Sequence, residues 1–120
     1  KRRPTPGGAE VWNVIGDVEG KTAVIIDDIV DTAGSLCEGA RALQKRGAKR
    51  IFASCSHAIL SDPAVQRIND SPIEKLIITD TIPLPPEKAS DKIVVLSLAE
   101  PIADVIIRIQ SHRSVSQLFR

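Results

Sequence analysis

Three aspartates fall within five residues, at Asp27, Asp28 and Asp31, and the small residues Thr32, Ala33, Gly34 and Ser35 follow them directly. The acids close the apolar run Ala23-Val-Ile-Ile26, and a helical pattern starts after the small residues. Carboxylates so placed can accept hydrogen bonds from sugar hydroxyls or hold Mg²⁺ through water. A helix N-terminus exposes N–H groups without intrahelical partners and carries about +0.5 charge, so phosphate fits there without a lysine. Gly34 lets the backbone come close to an anion. Thr32 and Ser35 offer hydroxyls to the same phosphate, and either can instead cap the helix. One acid and one glycine would be an ordinary strand-to-helix turn; three acids followed by Thr-x-Gly-Ser are suited to a phosphorylated sugar. A calcium loop is excluded, because counting from Asp27 puts Ile29 and Thr32 where a ligand and the glycine are required.

The elements that must position this loop follow from the pattern. Val11 to Ile15 is a short strand, and Lys21 to Asp27 a longer one by its β-branched run. A helix over Ser35 to Lys45 carries Leu36, Ala40 and Leu43 on one face and stops at Gly47. Arg50 to Ser56 is the next strand. Asp62-Pro63 opens a helix to about Ile68, with proline in the first turn. Leu76 to Thr79 is a strand, Ile82 to Asp91 a proline-rich connection and Ile93 to Leu96 the last strand. Ser97 to Gln110 is a helix whose buried stripe is Ile102, Val105, Ile106 and Ile109. Strands alternating with helices imply an α/β fold with a mostly parallel sheet flanked by helices. Such sheets bind ligands beyond the carboxyl ends of their strands. Asp27 and Asp28 stand at one such end, Ser56 and His57 at another, and Asp80 and Thr81 at a third. Whether these ends are neighbours depends on strand order, which the sequence does not give. His57 has two readings, as a ligand contact or as a partly buried residue bonded to a backbone carbonyl; His112, in a polar stretch, is solvated.

Composition narrows the class. The 120 residues suit one domain with a real core. Aromatics are scarce (Trp12, Phe52 and Phe119), and an aliphatic core is usual for a buried parallel sheet. The net charge of +1 gives no reason to expect nucleic acid or a membrane surface as partner, although Lys1, Arg2 and Arg3 cluster at the start. Cys37 and Cys55 lack metal-ligand spacing and fall in apolar patterns, so they read as packed, reduced thiols of a cytoplasmic protein. There is no signal peptide or transmembrane run in the sequence. The basic, Pro- and Gly-rich opening reads as a mobile loop, which implies that the chain is a piece of something longer.

The loop resembles the phosphoribosyl-diphosphate-binding loop of type I phosphoribosyltransferase folds. Its wider context is more specific. Asn13-Val-Ile-Gly-Asp-Val-Glu-Gly-Lys21 leads into it, and Arg46-Gly-Ala-Lys-Arg-Ile-Phe-Ala-Ser-Cys-Ser-His-Ala-Ile-Leu-Ser61 follows. Asp80-Thr-Ile-Pro83 and Ser114-Val-Ser-Gln-Leu-Phe119 come later. From Lys1 to Phe119 these segments resemble, in order, the C-terminal part of the ribose-phosphate diphosphokinases (phosphoribosyl diphosphate synthetases). The resemblance implies a phosphoribosyltransferase-like domain over residues 13–120, preceded in residues 1–12 by the remnant of a flexible catalytic loop.

The reaction implied is transfer of the β,γ-diphosphoryl group of Mg·ATP to the C1 hydroxyl of ribose 5-phosphate, giving phosphoribosyl diphosphate and AMP. Such a transition state needs cations and positioning rather than a nucleophilic side chain. By the same resemblance Lys1 and Arg3 are the catalytic cations. Asp27 binds the ribose hydroxyls, directly or with Mg²⁺, and Asp28 belongs to the same acidic patch. Asp31, Thr32, Ala33, Gly34 and Ser35 form the ribose 5-phosphate loop, with Ser35 where the family often has Thr. Ser114, Val115, Ser116 and Phe119 match a segment that lines a regulatory ADP or phosphate site in many synthetases; the other reading is a tail docked by Leu118 and Phe119. The full subunit is expected to form homo-oligomers, and the family's Mg²⁺-binding His and Asp and its adenine site belong to the N-terminal part. The isolated 120 residues are therefore expected to bind ribose 5-phosphate weakly and to lack synthetase activity. The alternatives are a phosphoribosyltransferase that consumes phosphoribosyl diphosphate, and a non-catalytic synthetase-associated regulatory subunit.

Overall fold

The computed structural model describes residues 14–119. Four parallel strands form one sheet in the order β1-β2-β3-β4, with β1 Thr22–Val30, β2 Arg50–Ala58, β3 Lys75–Thr79 and β4 Ile93–Leu96. Helix α1 (Gly34–Lys45) joins β1 to β2, and α2 (Ala64–Asn69) joins β2 to β3. A 3₁₀ turn over Pro86–Lys88 lies in the proline-rich connection to β4, and α3 (Ala99–Gln110) and a 3₁₀ turn over Ser116–Phe119 end the chain. The α/β architecture expected from the alternating pattern is the one observed.

One core holds the sheet to two helices. Leu36, Cys37 and Ala40 of α1 and Ala64 and Ile68 of α2 pack with Ile51, Ala53 and Cys55 of β2 and Leu76 and Ile78 of β3. Crossovers between adjacent parallel strands are right-handed, so a sheet built in the order 1-2-3-4 receives its helices on one face. The opposite face stays open: on β1 Val24 is 58% and Ile26 81% exposed, and Val94 and Leu96 are exposed on β4 at the other edge. Burial pushes the Cys55 thiol up to about 11 and raises that of Cys37, so both are neutral, free thiols inside the core.

Several boundaries differ from the sequence reading. β1 runs three residues beyond Asp27, because Ile29 and Val30 continue the ladder opposite His57 and Ala58. Asp27 and Asp28 therefore lie inside the strand, and Val30 ends it. Val14 and Ile15 are irregular rather than strand, with Ile15 almost wholly exposed; the rest of that expected strand lies outside the described residues. Pro63 precedes α2 instead of entering its first turn. Gly47 does terminate α1, at φ 84°, and a Cβ there would sit 3.1 Å from Glu19 Cγ. The expected stripe of α3 is not buried: Ile102, Ile106 and Ile109 are each more than half exposed. Period 3.6 marks a helix with an apolar face; of the expected stripe Val105 alone is partly buried, sharing a cavity lining with Leu118.

Candidate functional site

The loop between β1 and α1 leaves the carboxyl edge of the sheet and turns sharply at Ala33. This residue adopts the left-handed conformation (φ 56°, ψ 12°) although it is not glycine, and it is buried. No side chain caps α1, and no acid occupies its first turn. Neither Thr32 nor Ser35 takes the capping role that their types allow. The first N–H groups of α1 are thus left without a side-chain acceptor, at the positive end of a twelve-residue helix. Backbone donors with no competing carboxylate are what an anion needs.

The acids flank this terminus in different ways. Asp27 is partly buried and Asp28 and Asp31 are exposed. Consecutive strand residues point to opposite faces, so Asp27 and Asp28 do not converge. The Asp28 N–H donates to Asp27 Oδ1 (3.0 Å), and the Ile29 N–H to Asp28 Oδ1 (2.9 Å). A cavity of about 300 Å³ opens along β1 and α1, lined by Asp27 and Ser35 together with Val24, Ile25, Leu36 and Leu43. Of the expected binding residues, Asp27 and Ser35 line this space. Asp28, Asp31, Thr32, Ala33 and Gly34 lie beside it on the strand and turn. Lys1 and Arg3 fall outside the described residues.

Strand order makes the three expected carboxyl ends neighbours. The Thr79 and Thr81 hydroxyls both donate to the Ser56 carbonyl (2.6 and 2.9 Å), tying the end of β3 to that of β2. His57 Nδ1 is hydrogen-bonded to the same Thr81 hydroxyl (3.0 Å). His57 is exposed and bonded to a hydroxyl, not half-buried against a carbonyl as its structural reading supposed. Asp80 Oδ1 accepts the Leu98 N–H (2.9 Å) just ahead of α3. Hydrogen bonds from Ser97 and from that N–H hold the Asp80 carboxyl below its ordinary range. A depressed acid stabilises the fold above its unfolded pKa, about 3.9 for Asp, and the contribution is lost as pH falls through the folded value. The Leu98 amide is therefore expected to stay protected between about pH 5 and 8 and to lose protection only in stronger acid, as hydrogen exchange across a pH series would record. Asp80→Asn should flatten that acid limb.

Two contacts were not legible in the sequence. Arg67 of α2 donates from Nη1 to the Thr32 carbonyl (3.0 Å), across 35 positions of chain. The Asp80–Leu98 bond spans 18 positions. No local motif marks either one.

Among the described residues no group of three or more His, Cys, Asp or Glu side chains forms a metal centre. A nucleotide-borne Mg²⁺ takes only one or two carboxylates, with phosphate oxygens and water completing its shell. The separated carboxylates of this loop fit that donor set and not a protein cage.

The C-terminal segment is fastened to α3. Arg108 Nη1 donates to the Ser114 carbonyl (3.1 Å), the Ser114 and Ser116 hydroxyls are 2.8 Å apart, and the Leu118 N–H donates to the Val115 carbonyl. Leu118 lines a cavity of about 280 Å³ with Glu100, Pro101, Asp104 and Val105 of α3. Ser114 and Ser116 are exposed, while the Phe119 side chain lies outside the described part. Among the described residues no helix is long and apolar enough to cross a membrane.

The family model of the phosphoribosyl synthetase-associated domain matches residues 6–120. The chain is 55% identical over 119 residues to a ribose-phosphate pyrophosphokinase of Oceanobacillus iheyensis, covering 99% of this chain and 38% of that one. It is 53% identical to the ribose-phosphate pyrophosphokinase of Caldanaerobacter subterraneus, with the same coverage. The structure superposes on phosphoribosylpyrophosphate synthetase from Mycobacterium smegmatis with a TM-score of 0.77 at 35% identity, over 82% of this chain and 33% of that one. The chain thus spans well under half the length of the relatives it matches.

Proposed function

The chain belongs to the phosphoribosyl synthetase-associated domain family, and from that premise we propose that it is the sugar-phosphate-binding domain of a longer ribose-phosphate diphosphokinase. The observation that carries this reading is the uncapped N-terminus of α1 beyond the carboxyl edge of β1, with Asp27 to Asp31 beside it. Ribose 5-phosphate places its phosphate on the N–H groups of Gly34 to Leu36, with the Thr32 and Ser35 hydroxyls as further donors. Its ring hydroxyls meet the carboxylates, Asp27 first. The C1 hydroxyl then faces the space where ATP presents its β-phosphorus.

In this reading the domain supplies position and electrostatics. The carboxylates fix the sugar so that one oxygen is aligned for in-line attack, which replaces a costly encounter by a prepaid orientation. Asp27, which lines the cavity, is the carboxylate suited to hold Mg²⁺ through water, and the ion would neutralise phosphoryl charge. Lys1 and Arg3, on the segment before the domain, are the cations that meet the transferring group. Arg can grip two oxygens at once, while Lys acts as a point charge. Residues 1–12 are then the remnant of a catalytic loop and residues 13–120 the domain. The relatives' names support the reaction class; ATP as donor, homo-oligomeric assembly and an ADP or phosphate effector at Ser114 to Phe119 are further parts of the proposal.

In this reading the isolated 120 residues bind ribose 5-phosphate weakly and do not turn it over, the adenine site belonging to the N-terminal part of the longer protein. Nucleotide analysis tests both parts. The longer protein should form AMP from ATP only when ribose 5-phosphate is added, and the isolated chain should form none. AMP from the isolated chain would refute the division of labour. Diphosphate release from phosphoribosyl diphosphate and a purine or pyrimidine base, without ATP, would favour the base-attaching transferase instead.

A further inference from the structure

We propose that Arg67 is a positioning residue of the sugar-phosphate loop: its guanidinium holds the Thr32 carbonyl and thereby fixes the turn that presents the first N–H groups of α1. The inference rests on the reading of the loop given above and adds a residue from a different element to it. Arg67 Nη1 lies 3.0 Å from the Thr32 oxygen, and 3.5 Å from the point where a Cβ on Gly34 would stand. The guanidinium therefore sits against both residues that bracket Ala33.

That location matters because the turn is unfavourable for its sequence. Ala33 holds a left-handed backbone at φ 56°, which costs an L-residue free energy and persists only when its surroundings impose it. No side-chain cap imposes it here. Burial of Ala33 is one constraint and the Arg67 bond is another. The carbonyl and the N–H of a trans peptide point in opposite directions. Seizing the Thr32 oxygen thus turns the Ala33 N–H away from Arg67. It also removes a carbonyl dipole from the space an anion would occupy. A charge-assisted bond of this kind is stronger than one between neutral groups.

The helix that carries Arg67 is itself held firmly. Ala64 and Ile68 are fully buried in the core. At its other end the Ser71 hydroxyl donates to the Ile68 carbonyl (2.7 Å), and Lys92 Nζ donates to the Ile68 and Ser71 carbonyls (3.3 and 2.8 Å). Arg67 is presented to the loop from a helix fixed at both ends, so its bond transmits the position of the core to the anion site.

The test is titration of ribose 5-phosphate into the chain, followed by amide NMR, for the wild type, Arg67→Met and Arg67→Lys. Met keeps an apolar stem and loses the donor, while Lys keeps the charge and loses the planar fork. Arg67→Met should weaken binding about tenfold and Arg67→Lys at least threefold. Both losses should persist at about 0.5 M KCl, where the Debye length is only about 4 Å. A role in fold stability alone would lower the melting temperature and leave affinity unchanged; a long-range charge effect would vanish in salt and be restored by Lys. Either result overturns the proposal. If Arg67→Met fails to fold, Arg67→Lys carries the test by itself. A wild type that does not bind ribose 5-phosphate sinks the loop reading and this inference with it. A wild type that binds, with both variants equal to it, sinks this inference alone.

Discussion

Gly34→Asp is expected to weaken ribose 5-phosphate binding at least a hundredfold while the domain stays folded. Gly34 is the first residue of α1, and a side chain there meets only ordinary contacts, with Arg67 Nη1 at 3.5 Å and Thr32 Oγ1 at 4.0 Å. Its φ is not in the left-handed region, so the backbone accepts an L-residue. An aspartate in the first turn is favourable to the helix dipole and to the guanidinium beside it. The new carboxylate would thus occupy the donors that the phosphate needs, and repel the phosphate as well. A hundredfold loss corresponds to about 2.7 kcal/mol, within reach of displacing charge-assisted bonds at roughly 1.5–3 kcal/mol each. Gly34→Asn has the same shape without the charge and should weaken binding by only about tenfold. Calorimetric titration gives the affinities, and thermal melting shows whether the Asp variant keeps or exceeds the wild-type melting temperature. Equal losses for Asp and Asn would mean that space, not charge, governs the site.

The second large effect concerns catalysis in the longer protein. Lys1→Ala and Arg3→Ala, made separately, should each lower kcat about a thousandfold while the KM for ribose 5-phosphate changes less than about threefold. In the proposed mechanism these cations would meet charge that develops only as the diphosphoryl group leaves AMP, and would add little to the sugar complex. Asp27→Asn in the same protein should do the reverse, raising KM more than it lowers kcat. Steady-state kinetics with ATP saturating separate the two patterns. A change confined to KM in the Lys1 and Arg3 variants would place them in ground-state binding instead.

What the sequence revealed and what it hid divide along the distance between residues. The turn into α1 was legible because its signal is local: Asp31 to Ser35 lead from the strand into a helix. The end of β1 was misjudged because two acids read as a strand terminus, whereas Ile29 and Val30 gain partners across the ladder in β2. Strand order brings Ser56, His57 and Thr81 together, and periodicity carries no information about it. The α3 stripe shows the same limit from the other side. Ile102, Ile106 and Ile109 announce an apolar face, but the packing partner of a face is a tertiary fact. Arg67 was invisible for a related reason: an arginine on a short helix has no signature, and its target lies 35 positions away. The sequence left Thr32 and Ser35 two roles, phosphate donor or helix cap, and could not show that Ala33 takes the cap position instead. The turn leaves both hydroxyls free of that duty, as an anion site would require.

The most direct test of the central claim is an amide NMR titration of the 120-residue chain with ribose 5-phosphate, with ribose as the control. Ribose 5-phosphate should produce saturable shifts concentrated at Thr32 to Leu36 and smaller shifts at Asp27 and Asp28, with no comparable effect of ribose at the same concentration. Shifts that leave the Thr32 to Leu36 amides unmoved, or that appear equally with ribose, would contradict the claim.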